Sequence, residues 1–156
     1  MPSAWNAERA KEIIAERSGL EGSMLPILHG LQEEFGCVSA AAVPLIAEAL
    51  NLTRAEVHGV VTFYHDFRRK PCGPHLLQLC RAEACQSMGS EALAAAVLTK
   101  LGVGWHGTTR DGELTVEPVY CLGLCATSPS ALLDGEPLGC LNLDKITEAL
   151  EEVRTA

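Results

Sequence analysis

Four of the seven cysteines are spaced for metal chemistry. Cys80 and Cys85 bracket the run Cys-Arg-Ala-Glu-Ala-Cys, and Cys121 and Cys125 bracket Cys-Leu-Gly-Leu-Cys, with residues 86–120 between the two pairs. Thiolates are soft ligands of the kind that iron–sulfur clusters, zinc and copper(I) select. Four of them in two pairs is the usual complement of a [2Fe–2S] cluster. Structural zinc favours a tighter knuckle, most often two residues between cysteines, although four lies within its range. A diiron cluster asks less of each pair, which has only to grip one iron. The plant-type ferredoxin spacing is not met, because only the first pair fits it. Thiol redox chemistry of the thioredoxin kind wants Cys-x-x-Cys at a helix start, where the helix dipole lowers a thiol pKa, and the chain has no such spacing. Spacing alone therefore leaves cluster, structural zinc and a plain thiol role open.

The remaining residues bear on that choice through charge and compartment. Twenty acidic against twelve basic side chains give a net charge of −8, the wrong sign for a partner whose phosphates must be neutralised, so nucleic acid is excluded as a partner. No apolar run approaches the ~18 residues of a membrane span, since Pro44 and Glu48 interrupt the stretch from Ala40 to Leu50. The opening residues lack the apolar core of an export signal, which points to a cytoplasmic protein. In that reducing compartment seven cysteines argue for metal, catalysis or packing ahead of disulfides. No Gly-x-Gly-x-x-Gly and no Walker-type loop is present to hold a nucleotide phosphate.

The elements that must position the cysteines follow from the hydrophobic periodicity. The N-terminal stretch to about Phe67 is helical in pattern: Ile13 and Ile14 in a first segment, then Met24, Ile27, Leu28, Leu31 and Phe35 up to a stop at Gly36. A short third segment covers about Ala41 to Leu50. Thr53-Arg-Ala-Glu56 matches a capping box and opens a fourth helix expected to carry Val57, Val60, Val61, Tyr64 and Phe67. Lys70-Pro-Cys-Gly-Pro74 cannot continue a helix, so the domain boundary is placed there, with a helical region over 1–73 and a mixed domain over 74–156.

Beyond it, Leu76–Cys80 reads as a buried strand, Ser90–Leu101 as a helix closed by Gly102, and Glu113–Tyr120 as a second strand fed by the Asp111-Gly112 turn. Val103–Thr109 is the candidate hairpin partner of that strand. Ser130–Leu133 is a third strand and Leu143–Val153 a closing helix. The fold class is α+β, a helical bundle followed by a domain with a small mixed sheet. Each cysteine pair falls where a strand runs out into a loop, so both pairs can meet at one sheet edge.

The two motifs, taken with Val60-Val-Thr-Phe-Tyr64, Phe67, Pro71 and Gly73, resemble the thioredoxin-like [2Fe–2S] ferredoxin family. Its members include the 24-kDa subunit of respiratory complex I and the matching subunits of NAD-linked hydrogenases and formate dehydrogenases. The likeness runs over nearly the whole chain. It implies a thioredoxin-like second domain and one [2Fe–2S] cluster ligated by Cys80, Cys85, Cys121 and Cys125. It implies as partner a flavoprotein subunit that holds FMN and binds NAD, with neither group bound here.

Arg81-Ala-Glu83, Gln86-Ser-Met-Gly89, His65-Asp-Phe-Arg68 and Cys125-Ala-Thr-Ser-Pro129 look most like the gamma subunit of soluble NAD-dependent formate dehydrogenase. That likeness implies a catalytic subunit bearing the molybdenum cofactor as a second partner, and no catalytic residue in this chain. The equivalent subunit of a hydrogenase or of complex I is the nearest alternative. A zinc-stapled adaptor that uses the same thiolates only to fold is the alternative of another class.

Other residues are assigned packing or surface roles. Cys37 and Cys140, beside glycine and an apolar residue, are expected to pack as small hydrophobes. Cys72 is expected to be an exposed thiol. His58 and His65, seven apart, would share a face of the fourth helix without a third ligand. Arg81 either offsets the charge of a thiolate site or lies on a solvated loop. The row Val60, Val61, Phe63, Tyr64 and Phe67 is expected to be core first and docking surface second.

Overall fold

The structure is a computed structural model that describes residues 3–155. It divides into two compact units, the first ending at Pro71 and the second beginning at Cys72.

The first unit is four helices: α1 (Ala7–Arg17), α2 (Met24–Phe35), α3 (Ala42–Leu50) and α4 (Arg54–Phe63). Their ends follow from capping chemistry. Asn6 accepts the N–H groups of Glu8 and Arg9 at 2.9 and 3.1 Å to open α1, and Asn51 in the left-handed conformation closes α3. At the start of α4 the Glu56 N–H donates to the Thr53 hydroxyl at 3.2 Å while the Thr53 N–H donates to the Glu56 carboxylate at 2.8 Å, the reciprocal pair that the sequence pattern predicts. Ile13, Ile27, Leu28, Leu31, Ile46 and Val57 meet in one core, each at most 2% exposed.

The fourth helix is shorter than the periodicity suggests. It ends at Phe63, Tyr64 is extended, and Phe67 is buried from outside the helix. The cause is a tertiary competitor on α2. The Gln32 side-chain amide donates to the Asp66 carbonyl and accepts from the Arg68 N–H, both at 2.7 Å, and the Val38 N–H donates to the Arg68 carbonyl. Those bonds satisfy the backbone that a longer helix would have satisfied itself. His65 consequently lies beyond α4 and shares no helix face with His58. Val61 and Phe67 enter the core, while Phe63 and Tyr64 stay exposed.

The second unit is a five-stranded mixed sheet with two longer helices. In chain order it contains β1 (His75–Cys80), α5 (Glu83–Ser87), α6 (Ser90–Leu101), β2 (Gly107–Thr108), β3 (Leu114–Val119), a 3-10 turn (Cys125–Thr127), β4 (Ala131–Leu133), β5 (Glu136–Leu138) and α7 (Leu143–Thr155). The strand order is β2-β3-β1-β4-β5, with β1 parallel to β3 and every other pairing antiparallel. The parallel pair requires a crossover, which α5 and α6 supply. Leu77, Leu79, Val116 and Ala131 of the sheet share one core with Val97 of α6 and Ile146 of α7. The expected α+β fold, a helical part followed by a thioredoxin-like sheet, is the fold observed.

Two details differ from the sequence reading. The hairpin partner of β3 shrinks to two residues, because the Val103 N–H is used to close α6 on the Leu98 carbonyl and His106 turns left-handed. Residues 83–87 form a helix instead of a loop. At the sheet end remote from the cysteines, Asp134 in the β4–β5 turn accepts from the Leu76 N–H and pairs with the His75 ring, both at 2.7 Å.

Removing the Thr53 hydroxyl opens the capping box of α4. Thr53→Ala is expected to lower stability by about 1 kcal/mol, read as a lower urea midpoint with an unchanged slope.

Candidate metal centre

The parallel register runs from His75 opposite Leu114 to Cys80 opposite Val119, so β1 and β3 end together at one edge of the sheet. Cys80 is the last residue of β1. The Arg81 N–H donates to the Val119 carbonyl at 2.8 Å, carrying the ladder one step further, and Cys121 follows two residues after β3. Backbone pairing thus brings Cys80 and the approach to Cys121 to the same end of the sheet.

Each strand end then turns so that its second cysteine comes back. After β1, α5 returns Cys85, and the Gln86 side-chain amide donates to the Arg81 carbonyl at 2.7 Å, closing the loop between the two cysteines. After β3, Cys121 and Gly123 both take positive φ, 78° and 75°, and the tight turn aims the Gly123 N–H at the Cys121 sulfur from 3.4 Å. Cys125 follows at the head of the 3-10 turn, its sulfur 3.9 Å from that of Cys121.

The two pairs differ in environment. Cys80 and Cys85 are 3% and 2% exposed, whereas Cys121 and Cys125 face solvent. The Cys85 sulfur lies 3.5 Å from the Ser128 hydroxyl and 3.4 Å from that of Ser130, just before β4. Burial pushes the Cys85 thiol up, but its hydrogen bonding with Ser128, Ser130 and Cys80 outweighs it and brings the thiol below its ordinary value. Cys125 is held above its ordinary value, first by its hydrogen bond with Cys121 and then by negative charge on Cys121, Cys85 and Cys80. Cys125 is thus close enough to the first motif to sense Cys80 and Cys85. The sulfurs stand as two pairs, and among the described residues no three His, Cys, Asp or Glu side chains gather as ligands of a single metal ion.

The donor set suits a two-iron cluster. All four thiols are free, they come in two grips, and an N–H is already directed at one sulfur, as hydrogen bonding to a negatively charged cluster requires.

Several other expectations are resolved by position. Arg81 points to Glu91, which accepts from its guanidinium at 2.8 and 3.2 Å, and its guanidinium carbon lies 5.0 Å from the centroid of the Trp105 ring. Its charge is accordingly shared with a carboxylate. Cys37 is buried in the first unit as expected of a packing residue, and Cys72 is half-buried. Cys140 is exposed, contrary to its expected packing role. It sits at a left-handed turn where its N–H donates to the Thr127 carbonyl, so the backbone is used there and the side chain is not. Gln86 and Ser128 enter the sequence reading only as members of segments that carry the family resemblance, and Ser130 only as the start of a strand. Their roles come from strand pairing and from the return of α5.

The chain matches the family model for thioredoxin-like [2Fe–2S] ferredoxins over residues 10–154. The E subunit of the NADH-quinone oxidoreductase of Pseudomonas aeruginosa is 33% identical over 146 residues, which cover 87% of this chain and 88% of that protein. The subunit of the same name from Escherichia coli K12 is 31% identical over 150 residues, 90% of each chain. A crystal structure of an NAD+-reducing [NiFe]-hydrogenase in the H2-reduced state superimposes with a TM-score of 0.69 at 23% identity. That match covers 85% of this chain and 22% of the hydrogenase chain, so this chain spans about a fifth of it.

The fold and the paired thiols define a small iron–sulfur protein. It belongs to the thioredoxin-like [2Fe–2S] ferredoxin family and carries one [2Fe–2S] cluster. Among the described residues no helix is long and apolar enough to cross a membrane.

The turn that presents Cys121 depends on a glycine. A side chain at Gly123 has open space but meets the left-handed penalty of about 1–2 kcal/mol. Gly123→Ala is expected to reduce stability by that amount and to hasten loss of the visible chromophore under a chelator, followed by absorbance.

Proposed function

We propose that Cys80 and Cys85 hold one iron of the cluster and Cys121 and Cys125 the other, and that the protein relays single electrons inside an NAD-linked oxidoreductase. The supporting observation is that the four free thiols lie, as two pairs, just beyond the common end of parallel β1 and β3. A [2Fe–2S] cluster would accept and release one electron at a time on its irons without a proton-transfer residue, so no catalytic side chain is assigned. The partner that fits is a flavoprotein subunit holding FMN and binding NAD, because a flavin converts the two-electron chemistry of NAD into single-electron steps.

Within that class the particular assembly we favour is the soluble, cytoplasmic NAD-dependent formate dehydrogenase, in which a separate subunit bears the molybdenum cofactor. The residues inside and around the motifs support it, namely Arg81-Ala-Glu83, Gln86-Ser-Met-Gly89 and Cys125-Ala-Thr-Ser-Pro129. The names of the relatives favour a second reading, the equivalent subunit of an NADH-quinone oxidoreductase or of an NAD-reducing hydrogenase.

Two measurements test these readings. The chain purified anaerobically is expected to hold iron and acid-labile sulfide in equal amounts, with an EPR signal that appears only on reduction. Serine at any of the four cysteines should diminish or alter that signal, and serine at Cys37, Cys72 or Cys140 should leave it as it is. A chain in which Cys80→Ser and Cys121→Ser change nothing would sink the ligand assignment. Isolation of the native complex decides the partner: molybdenum and formate-dependent NAD reduction support the first choice, nickel or quinone reduction the second.

A further inference from the structure

We infer that Ser130 is a positioning residue that raises the reduction potential of the cluster by donating its hydroxyl hydrogen to the Cys85 sulfur. The inference rests on the reading of Cys85 as an iron ligand.

Two hydroxyls approach the Cys85 sulfur, and they are not equivalent. Ser128 commits its hydrogen to the Cys125 carbonyl at 2.9 Å, so towards Cys85 it offers a lone pair and can only accept. A thiol satisfies that arrangement, but a ligating thiolate has no hydrogen to give. Ser130 has its hydroxyl 3.4 Å from the same sulfur, and no other partner for that hydroxyl occurs among the described residues. The Ser130 carbonyl also accepts the Cys80 N–H at 3.1 Å.

One residue thus holds the backbone of the first ligand and faces the sulfur of the second. At 3% exposure water cannot substitute for the hydroxyl. Its place is set by the sheet, because antiparallel pairing of Leu79 with Ala131 brings the preceding residue, Ser130, beside Cys80.

The physical consequence has a definite sign. One-electron reduction, by dithionite or a flavin partner, converts one ferric iron to ferrous and adds one negative charge. No bond is made or broken and Ser130 keeps its proton. A donor to a ligand sulfur stabilises the more negative state more than the less negative one, so the hydroxyl raises the potential. The effect is strengthened because the site is buried and the bond is to an ionised sulfur.

The test is an EPR-monitored redox titration of the full-length chain and its variants, each first assayed for iron and sulfide. Ser130→Ala is expected to keep the cluster and to shift its equilibrium about tenfold towards the oxidised form, a fall of about 59 mV for a one-electron couple. Ser128→Ala should fall by less than half as much, and Ser130→Thr, which restores the hydroxyl, should return close to the wild type. An unchanged potential in a cluster-loaded Ser130→Ala chain overturns the inference, as does an equal or larger fall in Ser128→Ala.

If Ser130→Ala holds no cluster, the reduced wild-type chain decides. A strongly coupled proton lost within seconds of mixing with D2O, faster than a buried amide exchanges, supports the hydroxyl donor, and its absence overturns it. A wild-type cluster whose EPR signal does not respond to Cys85→Ser overturns the ligand reading itself, a result distinct from either.

Discussion

Parallel pairing of β1 with β3 is the constraint on which the centre depends. Register between two strands is a backbone matter, set here by six consecutive partners from His75 and Leu114 to Cys80 and Val119. A slip of one residue would turn Leu77 and Leu79 out of the core and carry the cysteines with them, which is why the buried face holds the register firmly. Because the strands are parallel, both run out at the same edge, and residues far apart in sequence arrive side by side. A crossover between parallel strands is obligatory, and this chain places Cys85 in the first turn of that crossover.

Around that edge the protein builds two unlike environments from one ligand type. The Cys80 and Cys85 side is dry, tied to β4 through Ser130 and closed by Gln86. The Cys121 and Cys125 side is a solvent-facing turn held by left-handed backbone and a single N–H to sulfur. The asymmetry follows from the fold: β1 is central in the sheet and covered by its neighbours, whereas the turn after β3 leaves the sheet altogether. The thiols respond accordingly, downward at Cys85 where hydrogen bonding outweighs burial and upward at Cys125 where the hydrogen bond with Cys121 acts first.

The helical unit obeys its own logic. Apolar spacing and caps define α1 to α3, and a core of fully buried isoleucines and leucines holds them. The family match begins at residue 10, within α1, so this unit belongs to the same inherited pattern as the metal-bearing one. Its most specific tertiary feature is the Gln32 amide, which captures the backbone of residues 66 to 68 by two bonds of 2.7 Å and thereby decides where α4 stops.

Much was determined by the sequence alone. Apolar periodicity and stop signals marked α1 as an amphipathic stretch and placed α2, α3, α6, α7 and the strands β1 and β3 to within a residue or two, because those signals are local and each element carries its own. The four cysteines and their grouping in pairs were equally plain, since ligand chemistry is written in residue types and spacing. What only the tertiary structure decided lies in long-range partners. Gln32 ended α4 early, exit from α6 shortened β2, and the return of α5 turned a presumed loop into helix. Pairing of β4 with β1 put Ser130 against Cys85, although nothing in the local sequence marks that serine. Local propensity is carried by neighbours along the chain, but a hydrogen bond between residues 85 and 130 exists only once the sheet has chosen its strand order.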